Sequence, residues 1–135
     1  MTATTYSYAT LTEMKGEMIK TVMEDVADNL FNPDPYYQQG GDMVRVGGLT
    51  YAFDPLQGMG KRVSDMRLKG ELIDPNKTYK VAGWAPVAED AAKAGNPMVW
   101  ELVEQWLKAR GGKVTARQPN VPRLTAGLPN PGYAD

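Results

Sequence analysis

Residues 60–86, GKRVSDMRLKGELIDPNKTYKVAGWAP, contain strand-forming segments separated by tight turns. Residues 62–68 and 71–73 flank a Lys-Gly pair, which is the pattern of a β-hairpin. Residues 74–77, Asp-Pro-Asn-Lys, have the composition of a type I turn and lead into another strand at residues 78–84. This stretch predicts antiparallel sheet in the middle of the chain.

An amphipathic helix is predicted before this sheet, at residues 17–31. Apolar side chains recur there at spacings of three and four, and the turn-forming run Asn-Pro-Asp-Pro follows. The opposite side of the helix is predicted to carry the charged side chains Glu17, Lys20, Glu24, Asp25 and Asp28.

A second amphipathic helix is predicted after the sheet, with Asn96 as its N-cap and Pro97 as its first helical residue. It ends at Gly111, which fits the C-cap position. Its apolar stripe contains Val99, Leu102, Val103, Trp106 and Leu107. A shorter, alanine-rich helix is predicted just upstream, at residues 86–94.

Strands are further expected at residues 6–12, 43–46 and 49–53 from their β-rich composition. Residues 111–135 hold four prolines and should form an extended tail. We therefore predict a single domain over residues 1–135, with its core at about residues 6–110. The predicted fold class is α+β: a mixed, largely antiparallel sheet with two main helices packed on it.

Composition excludes several classes of function. Fifteen basic and sixteen acidic residues give a net charge of -1, without the basic excess that nucleic acid binding favours. No apolar run approaches the roughly eighteen residues of a membrane span. The chain has no cysteine and no histidine, which removes thiolate nucleophiles, His-containing triads and most catalytic zinc sites. The first residues, MTATTYSYATLTEM, also lack the pattern of a signal peptide.

Three other motifs favour structural interpretations. Asp25 and Asp28, with Asp34 and Asp42 nearby, suggest a hard-cation site, but a solvated helix face explains them better. The segment GMGKR at residues 58–62 resembles a phosphate loop only superficially and fits a loop between strands. Trp100 and Trp106 fit packing along their helix better than stacking on a ligand. We accordingly expect no catalytic residue and no metal ligand in this chain.

Residues 32–48, NPDPYYQQGGDMVRVGG, form the strongest candidate for a binding loop. Two tyrosines, two glutamines, an aspartate and an arginine supply aromatic faces, hydrogen-bonding groups and a fixed cation, and four glycines allow close backbone approach. An ordinary helix-to-strand connection is the alternative. Composition alone leaves the two interpretations open.

Three stretches together resemble the C-terminal domain of the 5'-nucleotidase family. They are LTEMKGEMIKTVMEDV (residues 11–26), GGDMVRVGGLTYAFDP (residues 40–55) and the opening stretch at residues 60–86. The family typically shows a glycine at the start of the helix, here Gly16, a Ser-Gly-Leu-x-Tyr strand, here residues 47–51, and a Leu-Asp-Pro-x-x-x-Tyr-x-Val-Ala motif, here residues 73–82. The resemblance covers about residues 6–110.

Within that family, residues 32–48 and 81–89 are most similar to the thiosulfohydrolase branch of the bacterial sulfur-oxidation (Sox) system. Nucleotidases usually have a phenylalanine where this chain has Met43. They also have a Gly-Gly-Asp-Gly loop where this chain has GWAPVAED, at residues 83–90. These departures argue against stacking of a nucleobase.

The resemblance implies a periplasmic enzyme with a separate N-terminal metallophosphoesterase domain that binds two metal ions, expected to be manganese. No cofactor is expected in this chain. The implied reaction is release of sulfate from a sulfonated cysteine on the flexible arm of a sulfur-carrier protein. The expected partners are therefore that N-terminal domain and the carrier arm, with no nucleic acid and no membrane.

In such an enzyme this domain would line the substrate channel. The resemblance assigns a role to each side chain of the loop. Arg45 would attract an anion, and Gln38, Gln39 and Asp42 would form hydrogen bonds. Tyr36 and Tyr37 would form channel walls, and Gly40 and Gly41 belong to the same substrate-binding segment. Two alternatives stay open. One is a nucleotide-binding domain of a true 5'-nucleotidase, and the other is a docking module without a small ligand.

Overall fold

The computed structural model describes residues 8–83, 95–116 and 120–126. These residues belong to two compact units, one drawn from residues 1–14 and 78–118 and the other from residues 15–77 and 119–135. The strands are β1 (Thr10–Lys15), β2 (Leu49–Phe53), β3 (Val63–Leu68), β4 (Glu71–Leu72), β5 (Thr78–Gly83) and β6 (Arg123–Leu124), and the helices are α1 (Gly16–Phe31) and α2 (Val99–Lys108), with a 3-10 turn at Pro35–Tyr37.

The second unit contains a mixed four-stranded sheet with the order β4-β3-β2-β6. β2 and β3 are antiparallel, β3 and β4 form a hairpin, and β6 is parallel to β2. Lys69 and Gly70 both have positive φ, as a two-residue type I′ turn requires. The predicted α+β class, with a mixed and largely antiparallel sheet and two helices, is confirmed.

α1 packs one face on this sheet and forms the hydrophobic core of the second unit. The core is a cluster of seven buried residues with Phe31 at its edge, where its ring meets that of Phe53 edge to face at 5.4 Å. The cluster consists of Met23, Ala27, Leu49, Tyr51, Phe53, Val63 and Met66. Burial raises the pKa of the Tyr51 hydroxyl. Within the 5'-nucleotidase-like motif of residues 47–51, the large side chains therefore serve packing.

The start of α1 is held by the turn at residues 74–77. The Gly16 N–H donates to the carbonyl of Lys77 at 3.0 Å, and the Glu17 N–H donates to the carbonyl of Pro75 at 3.0 Å. Two of the N–H groups that every helix leaves unpaired at its start are thus satisfied. A Cβ atom at Gly16 would collide with the Asp74 carbonyl and the Ile73 side chain. Close approach of two backbones explains glycine at this position.

The first unit contains a sheet of its own. β1 and β5 form a two-stranded sheet, in which the Thr10 hydroxyl donates to the Gly83 carbonyl at 3.2 Å. α2 has no buried residue, and Trp100 and Trp106 keep 44% and 38% of their surface exposed. The predicted apolar stripe on α2 therefore stays accessible within the part of the chain that the structure describes.

The structure differs from the sequence prediction at the start of α2. The helix begins at Val99 rather than at Pro97, because Pro97 and Met98 are engaged in extended pairing. The Ala9 N–H donates to the Pro97 carbonyl at 2.9 Å, and Met98 forms an antiparallel bridge with Tyr8. Long-range pairing thus outweighs the local capping preference of Asn96.

Other differences concern the strands. The segment at residues 43–46 is not a strand, although Met43 and Val46 pack against the core. The strand expected at residues 6–12 lies at Thr10–Lys15, with residues 6 and 7 outside the described part. β6 was not predicted, and the predicted helix at residues 86–94 lies outside the described residues. No described helix is long and apolar enough to cross a membrane.

Candidate functional site

The candidate loop, residues 32–48, starts from a hydrogen-bonded cap at the end of α1. Asn32 donates its backbone N–H to the Asp28 carbonyl at 3.0 Å and its Nδ2 to the Asp28 carboxylate at 2.7 Å. Its Oδ1 accepts the Asp34 N–H at 3.0 Å, and its backbone carbonyl accepts the Gln38 Nε2 at 2.7 Å. Asn32 thus organises the first seven residues of the loop.

The two tyrosines of the loop stand out from the surface. Asp34 caps the 3-10 turn at Pro35–Tyr37 by accepting the Tyr36 N–H at 2.9 Å. Tyr36 is 87% exposed and Tyr37 is 58% exposed, and their rings meet edge to face at 5.4 Å. Two solvent-facing aromatic rings held on a capped turn can contact a ligand or a partner chain with little loss of conformational entropy.

The glycines turn the chain back toward α1. Gly40 and Gly41 have φ values of 82° and 103°, which favour glycine, and the Gly40 N–H donates to the Asn29 carbonyl at 3.1 Å. At the far end of the loop, the Gly48 N–H donates to the Asn120 Oδ1 at 3.1 Å. The loop is therefore fastened at its start, in its middle and at its end.

Asp42 and Arg45 form an exposed pair after the glycines. Arg45 Nη2 lies 3.5 Å from Asp42 Oδ2, and the two side chains are 89% and 84% exposed. Such a pair contributes little to stability, on the order of 0–1 kcal/mol. An anion on a ligand can therefore compete with Asp42 for the Arg45 guanidinium.

All the residues assigned to the site lie on this exposed segment. Gln38 uses its amide nitrogen to hold the loop, which leaves its amide oxygen for a ligand. The eight residues, all of them exposed, are Tyr36, Tyr37, Gln38, Gln39, Gly40, Gly41, Asp42 and Arg45.

The phosphate-loop-like segment at residues 58–62 connects β2 to β3, as its structural interpretation predicted. Its amides bind an internal carboxylate. Glu24 accepts the N–H groups of Gly60, Arg62 and Val63 at 2.9, 3.3 and 2.8 Å, and Lys20 donates its Nζ to the Gly60 carbonyl at 2.9 Å. A cluster of backbone donors that resembles an anion site is therefore filled by the protein itself.

The placement of Glu24 corrects the sequence analysis, which put it on the charged side of α1. Glu24 is 3% exposed, beside Met23 on the helix face that meets the sheet. Its three backbone partners offset the desolvation of the carboxylate. The sequence contained one sign of this burial. Glu24 lies one residue after Met23 and three before Ala27, inside the apolar stripe.

Arg62 is a second buried charge that sequence reasoning missed. It is 1% exposed, and its Nη1 donates to Asp28 at 2.7 Å while its Nη2 donates to the Phe31 carbonyl at 3.0 Å. The hydrogen bond from Asn32, followed by that from Arg62, holds the pKa of the Asp28 carboxyl below its usual value. Asp28 is thus occupied by structural partners. Among the described residues, no group of three or more acidic side chains is arranged to hold a metal ion.

A bulge in β3 carries a third set of charges. The register between β2 and β3 shifts between Thr50 and Ala52, and Asp65 has a φ of 48°. Arg67 at 2.7 Å and Arg123 at 3.3 Å bind the Asp65 carboxylate, and the Arg67 hydrogen bond is the largest cause of its lowered pKa. This cluster ties β6 to β3 across β2.

These features define a small α+β fold with an exposed aromatic and polar loop at residues 32–48. Residues 5–94 match the model of the 5'-nucleotidase C-terminal domain, so the chain belongs to that family. The structural roles of Gly16, Leu49, Tyr51 and the turn at residues 74–77 account for the family motifs.

Two solved structures share this fold at different levels of sequence identity. Sulfate thiohydrolase SoxB of Thermus thermophilus, in complex with glycerol, matches with a TM-score of 0.76 and 34% identity, over 92% of this chain and 23% of that chain. A 5'-nucleotidase structure from Staphylococcus aureus, in complex with α-ketoglutarate, matches with a TM-score of 0.55 and 16% identity, over 87% of this chain and 27% of that chain. The chain thus spans about a quarter of the length of each. Among curated proteins, no match to this chain is found.

Proposed function

We propose that this chain is the substrate-recognition domain of a thiosulfohydrolase, which releases sulfate from a sulfonated cysteine on a carrier protein during thiosulfate oxidation. The observation that carries the proposal is the exposed loop with Tyr36, Tyr37 and Arg45, on a chain 34% identical to SoxB over 92% of its length. The match to the 5'-nucleotidase structure, at 16% identity, supports the fold alone.

The chemistry of the loop suits such a substrate. A sulfonated cysteine at the end of a flexible arm offers an anionic group and an extended peptide. Arg45 would attract the anion, since its pairing with Asp42 is long and fully exposed. Tyr36 and Tyr37 would contact the arm, and the amides of Gln38 and Gln39 would bind its polar groups.

The hydrolytic step would belong to a separate N-terminal metallophosphoesterase domain. Two metal ions, expected to be manganese, would there activate water and neutralise the leaving oxyanion. This assignment agrees with a chain that has no histidine and no cysteine. The same resemblance implies a periplasmic location and a carrier protein as partner.

The test is a titration of the ¹⁵N-labelled 135-residue chain with a short peptide ending in S-thiosulfonated cysteine. We expect amide shift changes concentrated at residues 36–46, and a binding constant that weakens several-fold in Arg45→Gln. Tyr36→Ala combined with Tyr37→Ala should weaken binding further. Arg110→Gln is the matched control, because Arg110 lies after α2 and its guanidinium lies over the Trp106 ring, 4.2 Å from the ring centroid.

Three outcomes would contradict the proposal. The first is equal binding of the same peptide with a free cysteine, which would favour a docking module. The second is binding of AMP at the loop with no response to the sulfonated peptide, which would favour the nucleotide-binding alternative. The third is sulfate release by this chain alone when manganese is added.

A further inference from the structure

A continuous chain of hydrogen bonds joins the buried guanidinium of Arg62 to the exposed candidate loop. Arg62 lies immediately before β3, far along the sequence from Asn32 and the tyrosines. Its 1% exposure excludes direct contact with a ligand. Any role it has in recognition must therefore be exerted through other residues.

The first link of this chain is Asp28. One carboxylate oxygen accepts Arg62 Nη1 at 2.7 Å, and the other accepts Asn32 Nδ2 at 2.7 Å. Arg62 also donates to the Phe31 carbonyl at 3.0 Å, so it binds the last turn of α1 at two points. Both contacts of Asp28 are charge-assisted, which makes them short and strong.

The second link is Asn32, which connects Asp28 to the loop by hydrogen bonds. Its Oδ1 fixes the Asp34 N–H, and its carbonyl holds the Gln38 side chain at 2.7 Å. Asp34 in turn caps the turn that carries Tyr36, at 2.9 Å. The orientation of the amide of Asn32 is set by Asp28, because only its nitrogen can face a carboxylate.

We infer that Arg62, Asp28 and Asn32 form a positioning network that fixes the conformation in which the loop presents Tyr36 and Gln38. The consequence for binding rests on the proposed function, whereas the effect on the loop itself does not. Pre-organisation of this kind raises affinity by reducing the ordering that binding requires.

The deciding variant is Asn32→Ala, because it removes the side-chain hydrogen bonds of Asn32 to Asp28 and to the Asp34 N–H while leaving Arg62 and Asp28 paired and keeping the Asn32 carbonyl. Asp28→Asn is the second variant. It keeps the side-chain volume, but an amide has a single acceptor oxygen, so one of the hydrogen bonds from Arg62 and Asn32 is lost. Asn29→Ala is the matched control. Asn29 lies in the same turn of α1 and contacts the loop through its backbone carbonyl, which the substitution retains.

The measurement is the heteronuclear NOE of the amides at residues 34–40, together with the affinity for the S-thiosulfonated peptide. We expect Asn32→Ala and Asp28→Asn to lower the NOE there and to weaken binding by on the order of two- to tenfold, the equivalent of one lost hydrogen bond. Asn29→Ala should leave both at wild-type values. Arg62→Lys, which can keep one of the two contacts, should fall between them.

Wild-type NOE values in both Asn32→Ala and Asp28→Asn would overturn the inference, as would an equal loss in Asn29→Ala. If the wild-type chain binds no sulfonated peptide, the proposed function fails, but the NOE comparison still decides whether the network positions the loop. A folded fraction measured by circular dichroism separates loop disorder from global unfolding in each variant.

Discussion

Glu24→Gln is expected to destabilise the domain strongly, although it changes one atom of one side chain. The carboxylate of Glu24 accepts three backbone N–H groups, and those of Arg62 and Val63 are buried. A glutamine can place its oxygen toward two of the donors, but its NH₂ group then faces the third. One charge-assisted hydrogen bond is lost and a donor is left unpaired, which costs about 2–4 kcal/mol.

Urea unfolding followed by far-ultraviolet circular dichroism measures this difference. Asp25→Asn is the control, because Asp25 is the next residue on α1, is exposed, and should change the free energy of unfolding by less than about 0.5 kcal/mol. Equal stability of Glu24→Gln and Asp25→Asn would refute the assignment of Glu24 as the hydrogen-bond acceptor for the loop at residues 58–63.

A rescue experiment tests the same reasoning from the opposite side. Glu24→Ala leaves three backbone donors around an empty space of carboxylate size. Acetate should then bind the folded state and raise its stability with concentration, whereas chloride at the same ionic strength should not. A response of the wild-type chain equal to that of Glu24→Ala would show that acetate acts elsewhere.

Three more predictions concern stability. Gly16→Ala should lower the thermal midpoint, because its Cβ would collide with the Asp74 carbonyl, whereas Gly58→Ala has open space around it and should leave the midpoint nearly unchanged. The pKa of Asp28 is lowered in the folded state, so its stabilisation is complete above its ordinary value of 3.8 and is lost as pH falls below it; Asp28→Asn should flatten that acid-side fall in urea midpoint. Lys69→Asn should stabilise the hairpin by up to about 1 kcal/mol, since asparagine tolerates the φ of 54° better, and a lower urea midpoint would contradict this.

Local sequence determined the elements that the prediction identified. The hairpin around the Lys-Gly turn was predictable because two residues with positive φ suit that pair, and α1 was predictable because its apolar spacing and its Asn-Pro-Asp-Pro end agree. The start of α2 was not. The predicted N-cap Asn96 and first helical residue Pro97 were wrong, because pairing of residues 97–98 with residues 8–9 delays the start of the helix to Val99.

The candidate loop was predictable as a segment, because tyrosines and glutamines beside glycines stand out in composition. Its internal order was not, since it depends on Arg62, which lies thirty residues beyond Asn32 in the sequence. For the same reason, Glu24 was predicted to lie on the charged side of α1 and Arg62 in a loop between strands. Their burial is compensated by partners that come close only after the chain folds.

The fastening of the loop at both ends bears on how members of this family diverge. Asn32 closes the loop against α1, and the Gly48 N–H closes it against Asn120, while Met43 and Val46 between them pack against the core cluster. Residues 33–42, which lie between Asn32 and the first of these core contacts, can therefore be exchanged or lengthened without loss of the fold. A relative could acquire a new substrate by replacing the codons of this segment alone, and a chimera carrying a foreign segment there should still fold.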